Sequence, residues 1–206
     1  VYWAVKDDSP IKTIADMKGK KVNLGLLTQS DFGLAARVVL AMNGVTGENT
    51  PINYVSPTVM TDQLINGTID ATTSAILGDP GTETWVTGAP LIKIGAAAQA
   101  SNRTLRYVSI DEDTVKKINE KYGTTIFTRT LPPGTLPQQT EPVTIGLVRA
   151  YHAATPDFPE QTAYELTKAA LEYGPELKKE GGVWAFWSKA GMVAGLNECN
   201  THPGAL

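Results

Sequence analysis

A chain of 206 residues, 42% hydrophobic and 19% charged, can form one good core or two small lobes and is too apolar for disorder. A net charge of -3 with no basic stripe argues against nucleic acid as a partner, and no apolar run nears the roughly 20 residues of a membrane helix. A single cysteine excludes an internal disulfide, and two distant histidines give no zinc spacing, so neither metal nor cofactor is expected.

Residues 1–6 read as a strand, broken by Ser9-Pro10. A short helix over 14–17, a Gly-Lys turn, a strand over 21–25, a polar loop over 26–30 and an apolar helix over 31–42 follow, closed by Asn43-Gly44. A strand is predicted over 52–55, then a helix opened by Ser56-Pro57 and ended by Asn66-Gly67. Next come a strand over 69–74, a loop over 75–81, a helical turn over 82–86 and a strand over 91–95. A strand over 104–110 leads to Asp111, which caps a helix over 112–122. Residues 124–131 are extended, the Pro- and Gly-rich stretch after them is an ordered loop, and 143–149 form a buried strand. Helices over 159–173 and 183–195 complete the chain.

Strands alternating with helices predict a mainly parallel, wound sheet, and such sheets hold ligands at the carboxyl ends of their strands. Three loops satisfy that condition: 26–30, 73–79 and 132–138. All are polar, contain or adjoin glycine and carry little charge. The candidate contacts are Thr28, Gln29 and Ser30 in the first, Thr73 and Ser74 in the second, and Gly134 and Thr135 in the third. These are hydrogen-bonding positions with no proton-transfer role. Helix capping explains the first loop equally well.

Catalytic patterns are scarce. The sequence has no G-x-S-x-G elbow, P-loop, dinucleotide fingerprint or EF-hand. Cys199 with His202 three residues on could make a thiolate, though a plain C-terminal turn explains the pair as well. His152 follows a strand as a surface or hinge residue. Asp7-Asp8 and Asp111-Glu112-Asp113 read as strand-end solvation and helix capping. Trp184, Phe186 and Trp187 suggest lobe packing, and Trp85 is the aromatic nearest a candidate loop.

Several stretches, taken in order, are similar to one family. SPIKTIADMKGKKVNLG resembles the I-x-(S/T)-(I/L)-A-D-(L/M)-K-G-K segment of periplasmic solute-binding proteins of the second structural class. PPGTLPQQTEPVTIGLV and the terminal HPGA resemble segments of one branch, the TAXI receptors that serve TRAP-type transporters. IDATTSAILGDP and YVSIDEDTVKKINEKY are similar to its D-A-x-F-x-x-x-G-x-P loop and its L-(L/V)-x-I-D strand and helix.

The resemblance implies an α/β bilobal fold of type II, two wound lobes joined by two crossing strands with a solute in the cleft. Residues 1–6 would be the outgoing strand, 7–142 the second lobe, and 143–206 the return strand and the C-terminal helical part of the first lobe. The first lobe's opening units, with a Gly-rich ligand loop, would be missing, so an N-terminally incomplete fragment is expected. The implied function is a non-catalytic, monomeric receptor, periplasmic or extracytoplasmic and possibly lipid-anchored when full-length. It would capture a small organic solute, an organic acid or amino-acid-like molecule, and deliver it to a TRAP-type permease. Two departures bear on the solute: the first loop has Leu27-Thr28-Gln29-Ser30-Asp31 where the family has Gly-Ser-Gly-Thr, and Leu136 replaces a tyrosine. Both disfavour an acidic amino acid and suit an amine or a larger neutral body. The alternatives are an enzyme on the same fold using Cys199 and an effector-sensing domain of a transcriptional regulator.

Overall fold

Side chains alternate across a strand, so register decides which residues share a face. A computed structural model describes residues 1–79, 83–87, 89–149, 151–181 and 184–206, with side chains of 30–32, 57–58 and 89–91 outside the description. The chain divides into two compact units: Val1–Ile76 with Thr87–Arg149, and Leu77–Val86 with Ala150–Leu206. The α/β class expected from the sequence holds.

The first unit is built on a five-stranded sheet in the order β3 (Ile52–Tyr54), β2 (Val22–Leu24), β4 (Ala71–Ser74), β1 (Tyr2–Lys6), β7 (Leu105–Val108). β2 is parallel to β3 and β4, whereas β1 runs antiparallel to both β4 and β7. The sheet is therefore mixed, with one reversed strand inside an otherwise parallel set. One face presents Trp3, Val5, Val22, Leu24, Ala71 and Val108. These form the main core with Ala36, Val39 and Leu40 of α1 (Ala36–Met42) and Val115 and Ile118 of α4 (Glu112–Tyr122).

The other face carries Tyr2, Asn23, Thr72, Ser74 and Tyr107, an unusually polar set for a buried surface. Helix α2 (Pro57–Ile65) covers it, taking a Thr72 hydroxyl on Met60 Sδ at 2.9 Å and an Asn23 amide on Gln63. α3 (Ala89–Ala100) packs beside α2 and buries Ile94 and Ala98. A two-stranded ribbon, β8 (Phe127–Leu131) against β9 (Val143–Leu147), joins the sheet where Ile110 N–H donates to Thr144 O and Gly146 N–H to Val1 O.

Described residues of the second unit form a hairpin, β5 (Ile76–Asp79) with β6 (Thr84–Thr87), the 20-residue α5 (Glu160–Lys179), the short α6 (Lys189–Val193) and a 3-10 turn at Pro203–Ala205.

Five predicted segments differ. Residues 76–79 and 84–87 pair as strands rather than forming a loop and a helical turn, because Trp85 lies over Gly78, where any Cβ would collide with the indole. The apolar run at 91–95 belongs to α3, not to a strand, since the Ala-rich half that follows continues it as helix. α5 passes through Gly174-Pro175 instead of stopping at Tyr173. Only Lys189–Val193 of the predicted 183–195 helix is helical among the described residues, and Val183 lies outside them.

Candidate functional site

Because β2, β3, β4 and β7 run the same way, their carboxyl ends meet at one edge, with Tyr2 of the reversed β1 beside them. The register places Leu24 next to Tyr54 and Tyr2 next to Ser74. The segments leaving this edge, 24–30, 54–60 and 71–77, contain no charged residue. They offer hydroxyls, backbone groups and aliphatic side chains.

The first loop is held by its own residues. Leu26 N–H donates to Gln29 Oε1 at 3.0 Å, and Gln29 N–H returns to Leu26 O at 2.8 Å. Gln29 Oε1 thus shapes the loop and is not idle. A π-helical turn, Ser30–Ala35, starts the next helix, with Leu34 N–H reaching back to Gln29 O. Gly33 packs so closely on Leu26 O that no Cβ fits. Thr28 stands exposed beside this clamp. The Ser30 side chain lies outside the described residues.

At the end of β4, Thr73 is fully buried and Ser74 only 3% exposed. Ser74 shares a hydrogen bond with the Tyr2 hydroxyl, which also donates to Ala75 O at 3.5 Å. Burial drives the Tyr2 phenol far above its ordinary range, with the Ser74 bond opposing and Tyr107 reinforcing the shift. Burial likewise raises Tyr107, whose ring meets Tyr2 edge-on at 5.6 Å. Both remain neutral donors across the physiological range. Asn23 Oδ1, one strand over on the same face, is buried and has no partner among the described residues.

Ser56, which sequence reasoning passed over, belongs at this edge. It precedes α2, its side chain makes no cap bond, and Pro57 follows it. Its carbonyl accepts from Val59 N–H at 3.0 Å and Met60 N–H at 3.2 Å, which closes the first turn of α2. The signal was present as Ser-Pro directly after a short strand.

The third loop is tied to β7 at two points, and at one of them the Tyr107 hydroxyl donates to Pro137 O at 2.7 Å. Gln138 Oε1 accepts from Leu105 N–H, and Leu105 pairs with Lys6, four residues along β1 from the Tyr2 that pairs with Ser74, a rise of roughly 13 Å. Gly134 N–H donates to Gln139 O and the Thr135 hydroxyl to Pro132 O, so both act within their own loop. Thr28 and Gln29 thus follow the carboxyl end of β2, Thr73 and Ser74 close β4, and Gly134 and Thr135 are bonded within their own loop.

The Cys199–His202 pairing does not form. Gly204 N–H donates to His202 Nδ1 at 3.2 Å, which leaves Nε2 protonated and donating to Phe158 O at 3.0 Å. Cys199 is exposed, with its N–H on Asn197 Oδ1. Among the described residues no group of three His, Cys, Asp or Glu side chains could hold a metal, and no helix is long and apolar enough to cross a membrane.

Comparison with solved structures finds the periplasmic aliphatic sulphonate binding protein of Escherichia coli, at 17% identity and a TM-score of 0.31, over 85% of this chain and 63% of that one. It also finds a binding protein component of an ABC phosphonate transporter from Pseudomonas aeruginosa, at 10% identity and a TM-score of 0.37, over 97% of this chain and 62% of that one. The chain thus spans less than two thirds of either. No curated protein matches it. A family model does, along residues 1–206, and the chain belongs to the NMT1-like family.

Proposed function

We propose that the chain is the greater part of an extracytoplasmic solute-binding receptor of type II bilobal architecture. It captures a small organic solute in an interlobe cleft and passes it to a TRAP-type membrane permease, without catalysis. The observation that carries this reading is the uncharged, hydroxyl-bearing edge where the carboxyl ends of β2, β3 and β4 meet. Such an edge recognises a solute by hydrogen bonds and supplies no acid–base pair. Family membership and the ordered TAXI-like segments support it. On this reading residues 1–6 and 143–149 are the crossing strands, 7–142 the second lobe, and the mature protein works as a monomer in the periplasm.

The test is a thermal-shift screen of the protein against organic acids, amino acids, amines and small aromatic acids. A tight binder raises the transition in proportion to the logarithm of its concentration. With that solute, Ser30→Ala and Thr73→Ala are each expected to weaken binding by about 1–3 kcal/mol, the cost of an unpaired buried polar group. Unchanged affinity in both removes this edge from the site. Absence of solute-dependent uptake in vesicles carrying a TRAP-type permease and the bound receptor removes the transport assignment.

A further inference from the structure

We propose that a pocket on the outer flank of the first unit, between α1 and the free edge of β3, binds a small monocarboxylate with a compact apolar body. The pocket holds about 360 Å³, at the lower end of small-ligand sites. Its floor is apolar: Val45 is 1% exposed, and Ile52 and Ala41 flank it. Its polar lining is Arg37, Thr46 and Tyr54, with no acidic residue.

Among the described residues none bonds to the Arg37 guanidinium, the Tyr54 phenol or the Thr46 hydroxyl, although Thr46 N–H is taken by Asn49 Oδ1 at 3.1 Å. The backbone adds a donor. β3 is the outermost strand, with Pro51 O accepting from Val22 N–H and Val55 N–H donating to Leu24 O. Parallel pairing alternates, so those bonds turn the N–H and C=O of Ile52 and Tyr54 away from β2, along the edge that the pocket flanks.

One fixed cation with a forked donor set, two hydroxyls and a dry aliphatic floor describe one class of guest. A carboxylate engages Arg37 with Tyr54 or Thr46, while a branched aliphatic or aromatic body covers Val45 and Ile52. Inorganic anions lack the apolar body, and dianions would leave one charge uncompensated. The pocket meets the strand-end edge only at Tyr54, the last residue of β3; Arg37, Ala41, Val45, Thr46, Gly47 and Ile52 lie outside the three segments that leave that edge.

The experiment is a titration of isotope-labelled protein with 3-methylbutanoate and benzoate, followed by amide and Arg Nε–H resonances. Saturable shifts are expected at Val45, Thr46, Tyr54 and the Arg37 side chain, and 3-methylbutan-1-ol should bind at least about tenfold more weakly. Arg37→Gln, an exposed helix position whose change leaves the fold intact, should raise the dissociation constant about tenfold or more, and Tyr54→Phe less. Absence of saturable shifts in the millimolar range, equal affinity in Arg37→Gln, or shifts confined to residues 25–29, 56 and 74 would each overturn the proposal. The last outcome would assign the carboxylate to the strand-end site.

Discussion

A methyl group on residue 33 would occupy the space of the Leu26 carbonyl oxygen. That contact lets the π-helical turn lie down on the first loop, and it makes Gly33 a packing requirement rather than a turn residue. Gly33→Ala is expected to cost about 1–3 kcal/mol, because either the loop or the helix start must move. Urea unfolding measures the cost, and faster hydrogen exchange at Leu26 N–H, now clamped by Gln29 Oε1, locates it. An unshifted midpoint would show that the loop yields freely. Tyr2 illustrates the opposite economy: its hydroxyl is buried and its partners are the very residues that end β4. Removing that hydroxyl leaves Ala75 O short of a donor and the Ser74 hydroxyl short of an acceptor at the strand-end site.

At the scale of elements, α5 is unusual in continuing through Gly174-Pro175. Proline lacks the N–H that residue 171's carbonyl would accept, which normally ends a helix. Here Gly174 is buried where a Cβ would overlap the Trp187 ring, so the absent side chain is what lets the indole seat against the helix. Gly174→Ala is expected to displace Trp187 and cost about 1–3 kcal/mol within the second unit. Hydrogen exchange along Glu160–Lys179 and the tryptophan emission spectrum report it, and unchanged exchange would show that Trp187 relocates without cost.

The same helix shows what sequence patterns convey. Local signals were decisive where one residue set the element: Asp111 caps α4 by accepting from Thr114 N–H at 2.9 Å, and Gly123 ends it at φ 63°. They failed where a distant partner decided. Nothing adjacent to Gly78 announces that Trp85 will fold over it, and nothing beside Pro175 announces Trp187. In α3, β-branched Ile92 and Ile94 imitate a strand until the alanines beyond them are weighed. The first two candidate loops could be placed from sequence because each follows directly on a strand, β2 and β4. The third loop satisfied the same local rule, but its attachment to β7, through Gln138 to Leu105 N–H and Pro137 O to the Tyr107 hydroxyl, is set by tertiary contact.

For the whole molecule, acid is the lever with a definite sign. Backbone N–H groups of Thr13 and Lys12 hold the Asp16 carboxyl below its ordinary range, the Thr104 hydroxyl does so for Asp7, and the Thr155 hydroxyl for Asp157. A carboxylate depressed in the folded state contributes stability above its unfolded value, about 3.9, and loses it as pH falls through the folded one. Unfolding midpoints in urea should therefore drop below about pH 4, and Asp16→Asn should flatten that limb. An identical limb in the variant would assign the acid response to other groups.

The reversed strand β1 has a consequence in time. Tyr2 pairs with Ser74, and Lys6 with Leu105. While the chain is being synthesised, the Tyr-Trp-Ala-Val segment waits for both neighbours. At roughly 5–20 residues per second, that wait lasts on the order of 5–20 s. During it an inner strand of the future sheet is an apolar ribbon with unpaired edges, which only long-range closure can satisfy. The strand that orients the candidate site is thus among the last to be secured, and the nascent chain depends on some other surface to cover it until then.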